Sequence, residues 1–362
     1  MNLFIFDMDG VLVMQGGYHS ALKDTVRLSA RQAGLGEVTL SDEQVVEFEA
    51  LGITSEWHSS AVCMAWMDLM REHGRTAEMV TGDGLNLTEL YEEIAIQPFE
   101  NAPIQRGMAA LERIAARRGI EVGSRLEMVE MSEDIHSSQT KKWFQEMILG
   151  SELYTRVYHK PASLNTESYL KLHDTRLLDE EMAKKILLWA TKPGQGAAIM
   201  TSRPSEGPAG FAEQPDARIG VEMIGLERLP LVGNGEIRWM CDKTSKSVHE
   251  MKKPAKAHAL AAILVASGWA MDKSLSFTAV SDGRLNKDDL MHLDGSTITV
   301  FEDTMAGIIA VDKVAGLLRE AGLQVEVRKF GITQDASKIT ALEGLGAKIY
   351  ADINQVLADI GL

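Results

Sequence analysis

The feature that most constrains this chain is a solitary strand at its start. Asn2-Leu-Phe-Ile-Phe6 is a short apolar run that stops abruptly at Asp7-Met-Asp-Gly10. Such a run reads as a buried parallel strand ending in a loop. A strand must pair its backbone groups, and no strand pattern lies near this one in the sequence. It most simply joins a sheet built from the C-terminal half, so that everything between is an insertion.

The intervening sequence supports this. Apolar residues recur at helical spacing in 20–33, 42–51, 56–73, 104–118, 138–149 and 179–190, with Gly, Pro, Asn and Ser between them. The richest face is Trp57, Ala61, Met64, Trp66, Met67 and Met70, which reads as helix-bundle core. After about residue 190 the pattern alternates. Strands are expected at 197–201, 221–224, 276–281, 297–301, 324–328 and 347–350, and helices at 254–267, 305–321, 335–345 and 353–360. Alternation of this kind predicts an α/β fold with a parallel sheet covered on both faces. The expected architecture is a Rossmann-like, doubly wound core formed by 1–13 and 190–362, with a large all-helical cap, 14–189, inserted after the first strand. The 362 residues suit two such domains.

Charge narrows the partners. The net charge is −15, from 37 basic and 52 acidic residues. Nucleic acid and anionic membranes are repelled by such a surface. A small phosphate can still bind if a cation offsets the charge locally. Cys63 and Cys241 have no zinc-site spacing and read as buried thiols of a reducing compartment. The N-terminus lacks the pattern of a signal peptide. No apolar stretch approaches the ~20 residues of a membrane span. A cytoplasmic location is therefore expected.

In a doubly wound sheet, ligands bind at the carboxyl ends of the strands. Four segments at strand ends or helix starts carry suitable groups. Asp7 and Asp9 can both face one cleft; a divalent cation would keep Asp7 ionised as a nucleophile while Asp9 serves as general acid and then base. Gly10 allows a sharp turn and close approach to a phosphate. Thr201 and Ser202, after Ala197-Ala-Ile-Met, offer hydroxyls and backbone N–H groups to phosphate oxygens. Lys253, before Pro254, can neutralise charge on the nucleophile and the transferring group. Glu302 and Asp303, followed by Thr304 and Gly307, suit magnesium, which takes few carboxylates and keeps several waters. Asp282 follows the expected strand 276–281 in the same way.

In this order the segments resemble the four signature motifs of the haloacid dehalogenase superfamily: Phe4-Ile-Phe-Asp-Met-Asp-Gly-Val-Leu, Ile199-Met-Thr-Ser-Arg-Pro, Lys253-Pro254, and Val300-Phe-Glu-Asp-Thr-Met-Ala-Gly-Ile. The helical insertion is similar to the cap of the phosphoglycolate phosphatase-like and β-phosphoglucomutase-like branch. The resemblance implies a hydrolase of phosphoric monoesters that uses Mg²⁺. It implies Asp7 as nucleophile, Asp9 as acid/base, Thr201, Ser202, Lys253 and Gly10 around the phosphoryl group, and Asp7, Asp9, Glu302 and Asp303 at the metal; Asp282 is the alternative to Asp303, but Glu-Asp-Thr followed by Gly307 fits the fourth motif better. The expected partner is a small phosphorylated metabolite, because a closed cap excludes macromolecules, and the expected assembly is a monomer or homodimer. A sugar phosphomutase would share the same core, and a non-catalytic binding protein the same fold. Dehalogenation needs neither a metal nor the acid at Asp9. Trp57, His58, Arg71 and Arg106 are cap residues able to face a ligand.

Overall fold

The solitary strand finds its partners across the whole length of the chain. In the computed structural model, which describes all residues except 54, 83, 99–101, 210–213 and 282–283, six strands form one sheet. They are β1 (Asn2–Phe6), β2 (Gln195–Met200), β3 (Leu231–Val232), β4 (Ser296–Glu302), β5 (Val325–Ile332) and β6 (Lys348–Tyr350). Their spatial order is β6-β5-β4-β1-β2-β3, and every pair is parallel. The chain winds from β1 towards β3 on one side and from β4 towards β6 on the other. The order therefore reverses between β1 and β4, the place where such sheets open a crevice.

The period-two alternation of the strands sorts their side chains between two faces. Leu3 and Ile5 of β1 join Ala198, Met200, Ile298 and Val300 in one buried cluster, which the helix Lys256–Ala266 covers with ten buried residues. Phe4 and Phe6 join Ala197, Ile199, Phe301 and Phe330 in the other. There the rings of Phe6 and Phe301 stack at 4.7 Å, and Phe301 and Phe330 at 5.5 Å. Trp189 stacks on Phe4 at 3.8 Å.

Two segments expected as strands are helices. Residues 221–224 end the helix Asp216–Ile224, whose buried Ala217, Val221 and Ile224 recur at helical spacing before the left-handed Gly225. Residues 276–281 fall largely in the helix Met271–Val280, with Leu275 and Ala279 buried one turn apart and Val280 74% exposed. A short apolar run does not by itself distinguish a strand from a buried helix turn. Conversely β3 has only two residues, too few for a pattern.

The chain forms two compact units, Met1–Gln15 with Asp174–Leu362, and Gly16–His173. Residues 174–189, placed in the insertion by the sequence, thus fall in the first unit, and the helix Glu180–Ala190 packs there against β2. The two-residue strands Val13–Met14 and Thr175–Arg176 pair antiparallel, so the chain leaves and re-enters this unit side by side.

The second unit is helical but not wholly so: Val80–Thr81 and Gly84–Leu85 form a small antiparallel hairpin. Ala61, Trp66, Met67 and Met70 are buried as core on the helix Glu56–Glu72. Glu146 pins the segment after the helix Ser151–Tyr158, accepting from the Ser163 and Leu164 N–H groups at 2.8 and 2.7 Å. Cys63 is buried, whereas Cys241 is half-buried. Among the described residues no helix is long and apolar enough to cross a membrane.

The packing of β2 gives a test. A Cβ at Gly196 would stand 1.8 Å from the Ala266 carbonyl oxygen, which is backbone and unable to step aside. Gly196→Ala is expected to lower the unfolding free energy by at least about 2 kcal/mol. Gly316→Ala, in open space on the helix Met305–Glu320, is expected to raise it by about 0.5–1 kcal/mol. Urea titrations of both variants check this pair; equal effects would refute the close packing.

Candidate active site

Parallel register assembles the site. Phe6 pairs with Phe301, and Phe301 with Phe330. The next residues of the two central strands, Asp7 and Glu302, therefore emerge side by side, and the Asp7 N–H donates to the Phe301 carbonyl at 2.9 Å. Both lie at the switch point of the sheet. Lys253 reaches between them, its Nζ 2.7 Å from Asp7 Oδ1 and 2.7 Å from Glu302 Oε1. All three side chains are almost wholly buried.

The surroundings hold this arrangement in place. Glu302 Oε2 accepts from the Thr304 N–H and hydroxyl at 3.1 and 2.9 Å. Gly307 supplies the room: a Cβ there would meet Glu302 Oε1 at 2.0 Å. Gly10 turns with φ +75°, and a side chain on it would collide with the Asp303 carboxylate. The Lys253 N–H donates to His258 Nδ1 at 3.2 Å, and His258 Nε2–H donates to the Val232 carbonyl at 3.0 Å. His258 thereby ties the lysine to the end of β3. Asp303 accepts a hydrogen bond from Lys338, on the helix Ala336–Glu343.

Asp7, Glu302 and Asp303 bring carboxylate oxygens within 4.8 Å of one another. Burial and the neighbouring Glu302 raise the Asp7 pKa well above the carboxylate range, against the pull of Lys253. Burial also raises Asp303, against Lys338. Burial alone would lower Lys253; Asp7 and Glu302 hold it above its ordinary value. A buried, all-oxygen donor set with too little positive charge fits a hard divalent cation.

The remaining expected residues take definite places. Asp9 does not share that cluster. Its carboxylate is gripped by Arg203, with Nε 2.9 Å from Oδ1 and 3.1 Å from Oδ2, and Nη2 2.5 Å from Oδ1. Thr201 is buried beyond β2. Its Oγ1 accepts the Arg203 N–H at 3.1 Å, which leaves its hydroxyl hydrogen to donate. Ser202 is partly exposed in the same loop. Asp282 lies outside the described residues, and the segment before it is helix rather than strand.

In the second unit, Arg106 donates to the Leu51 and Ile94 carbonyls, and Arg71 to Asp68 at 2.6 Å. His58 pairs with Glu133 at 3.1 Å. Trp57 lies under the Lys141 ammonium, 3.8 Å from the ring centre. Sequence alone does not single out Arg203, His258 or Lys338. Arg203 stands two residues after Thr201, but nothing in one sequence says where a guanidinium points.

No family model and no curated protein matches this chain. Among solved structures, an X-ray structure of a structural-genomics target is 17% identical, with a TM-score of 0.63 over 99% of this chain and 98% of the other. A phosphatase from Thermococcus thioreducens is 15% identical over 94% and 99%, at a TM-score of 0.49. A hydrolase from Pseudomonas syringae is 12% identical over 99% and 98%, at 0.33. The first likeness shows the fold; the two lower scores add nothing to it.

The His258 bridge carries a pH signature. Burial pushes its pKa down from 6.5 to about 3. Below pH 6.5 the unfolded chain takes up a proton that the folded chain refuses. Stability from this group is therefore complete above about pH 6.5 and is lost as pH falls towards about 3. The slope is about 1.4 kcal/mol per pH unit within that window. Urea unfolding between pH 7 and 5 is expected to show a shallower pH dependence in His258→Gln than in the wild type. Parallel slopes would mean that the imidazole titrates freely.

Proposed function

We propose that this protein is a divalent-cation-dependent phosphatase of small phosphate monoesters, with Asp7 as its nucleophile. The observation that carries the proposal is a carboxylate buried at the switch point of the sheet, 2.7 Å from a buried lysine and grouped with two further acids. The order of the motifs in the sequence supports the same reading.

Asp7 attacks the phosphorus in line with the ester oxygen. One Asp7 oxygen forms the new O–P bond as the P–O bond to the alcohol breaks, and Asp9 gives its proton to the departing oxygen. Asp9 then takes a proton from a water that attacks the phosphorus, releasing phosphate and restoring the Asp7 carboxylate. Lys253 and the Thr201 hydroxyl hold the phosphoryl oxygens, Ser202 and the Gly10 backbone lie beside them, and positioning of this kind supplies much of the rate. Asp7, Glu302 and Asp303 would hold Mg²⁺. When bound, the ion supplies positive charge that keeps Asp7 ionised and stabilises charge on the phosphoryl oxygens.

Phosphate release from a panel of small monoesters tests this. Activity is expected with Mg²⁺ and not with EDTA. Asp7→Asn is expected to lose at least about a thousandfold in kcat, and Lys253→Ala about 100- to 1,000-fold. A folded protein that binds Mg²⁺ yet releases phosphate from no ester would overturn the phosphatase reading.

A further inference from the structure

We propose that Arg203 and Asp174 are a positioning pair that aims one oxygen of Asp9 at the leaving group; the inference rests on the phosphatase reading above. Arg203 is buried, its side chain 2% exposed, and Asp174 beside it is fully buried. Arg203 Nη2 lies 2.8 Å from Asp174 Oδ2 and 2.5 Å from Asp9 Oδ1. One guanidinium thus joins a wholly buried carboxylate to one that is 28% exposed.

The two oxygens of Asp9 are treated unequally. Among the described residues, Oδ1 faces both Nε and Nη2 of Arg203, at 2.9 and 2.5 Å, whereas Oδ2 has only the longer Nε contact of 3.1 Å. The planar fork fixes the carboxylate in orientation as well as place, which an ammonium cannot do. Oδ1 is the anchored atom, and Oδ2 is the one left to exchange a proton with substrate.

The anchor is itself rigid. The Arg203 N–H is held by Thr201 Oγ1, and its carbonyl accepts the Asn234 N–H at 3.0 Å. The following Ser205 is bound to Glu236 and accepts the Gly235 N–H at 2.8 Å. Asp174 directly precedes the strand that pairs Thr175 with Met14 and Arg176 with Val13, and the Gly10 N–H donates to the Val13 carbonyl at 2.8 Å. The loop bearing Asp9 is therefore held at both sides of the guanidinium. A buried ion pair is weak evidence for stability, since apolar residues would serve as well. Its geometry towards Asp9 is what a role in aiming requires.

A group that acts through the general acid leaves a mark that a structural residue does not. p-Nitrophenyl phosphate releases a stable phenolate and needs little proton transfer, whereas an alkyl phosphate needs it. In Arg203→Lys and in Asp174→Asn, kcat/KM, which reports the departure of the ester oxygen and not the later attack of water, is expected to fall by at least about tenfold for an alkyl monoester and by less than about threefold for p-nitrophenyl phosphate. In an Asp9→Asn background, Arg203→Lys is expected to add no further loss. Thermal unfolding of each variant accompanies the kinetics; should Arg203→Lys not fold, Asp174→Asn carries the comparison. Equal losses on both esters, or additive losses with Asp9→Asn, would overturn the positioning role while leaving the phosphatase reading intact. A wild-type protein inactive on every ester would instead remove the premise.

Discussion

Burying Lys253 between Asp7 and Glu302 is the arrangement on which the rest of this core depends. Removing an ion from water costs several kcal/mol, and the mutual attraction of buried ions repays it only with close contacts and satisfied hydrogen bonds. Here both contacts are 2.7 Å. Much of the neighbouring structure keeps them so. The register of β1 and β4 sets the two acids side by side. Thr304 occupies the second Glu302 oxygen. The neutral His258 ring fixes the backbone from which the lysine extends.

That arrangement remains short of positive charge. Two carboxylates share one ammonium, and Asp303 stands close enough to add a third, with Lys338 as its partner. Burial first, and then the neighbouring Glu302, push the Asp7 carboxyl up towards its protonated form against the pull of Lys253. In a chain of net charge −15, which repels anions over most of its surface, these acids are the donor set for the divalent cation that the proposed reaction needs.

The sequence conveys the parts of this design that depend on local pattern. The β1 run ending in Asp7, the strands at 195–200, 296–302, 325–332 and 348–350, and the acids after β4 all follow from apolar periodicity and its abrupt ends. It misleads where a pattern is too short to have a period, as at 221–224 and 276–281, or absent, as at Leu231–Val232. It is silent about Arg203, His258 and Lys338, because their importance lies in contacts made across 194, 26 and 35 residues of chain. A lone His inside an apolar helix such as Lys256–Ala266 gives no sign that it is the link between a strand end and a buried lysine.

Asp7 and Asp9 show how far environment can separate two identical side chains. They sit two residues apart, and alternation at the end of a strand would carry both to one side. Asp7 ends up buried against an ammonium and among further acids. Asp9, beyond the turn of the loop, is partly exposed and locked to a guanidinium. A lysine gives a point charge that an attacking oxygen can leave as it forms a bond to phosphorus. An arginine fork fixes orientation, which matters for a group that must deliver a proton along one direction and later recover another. Pairing one carboxylate with a lysine and the other with an arginine suits two side chains two residues apart to the two tasks proposed for them, attack and proton transfer.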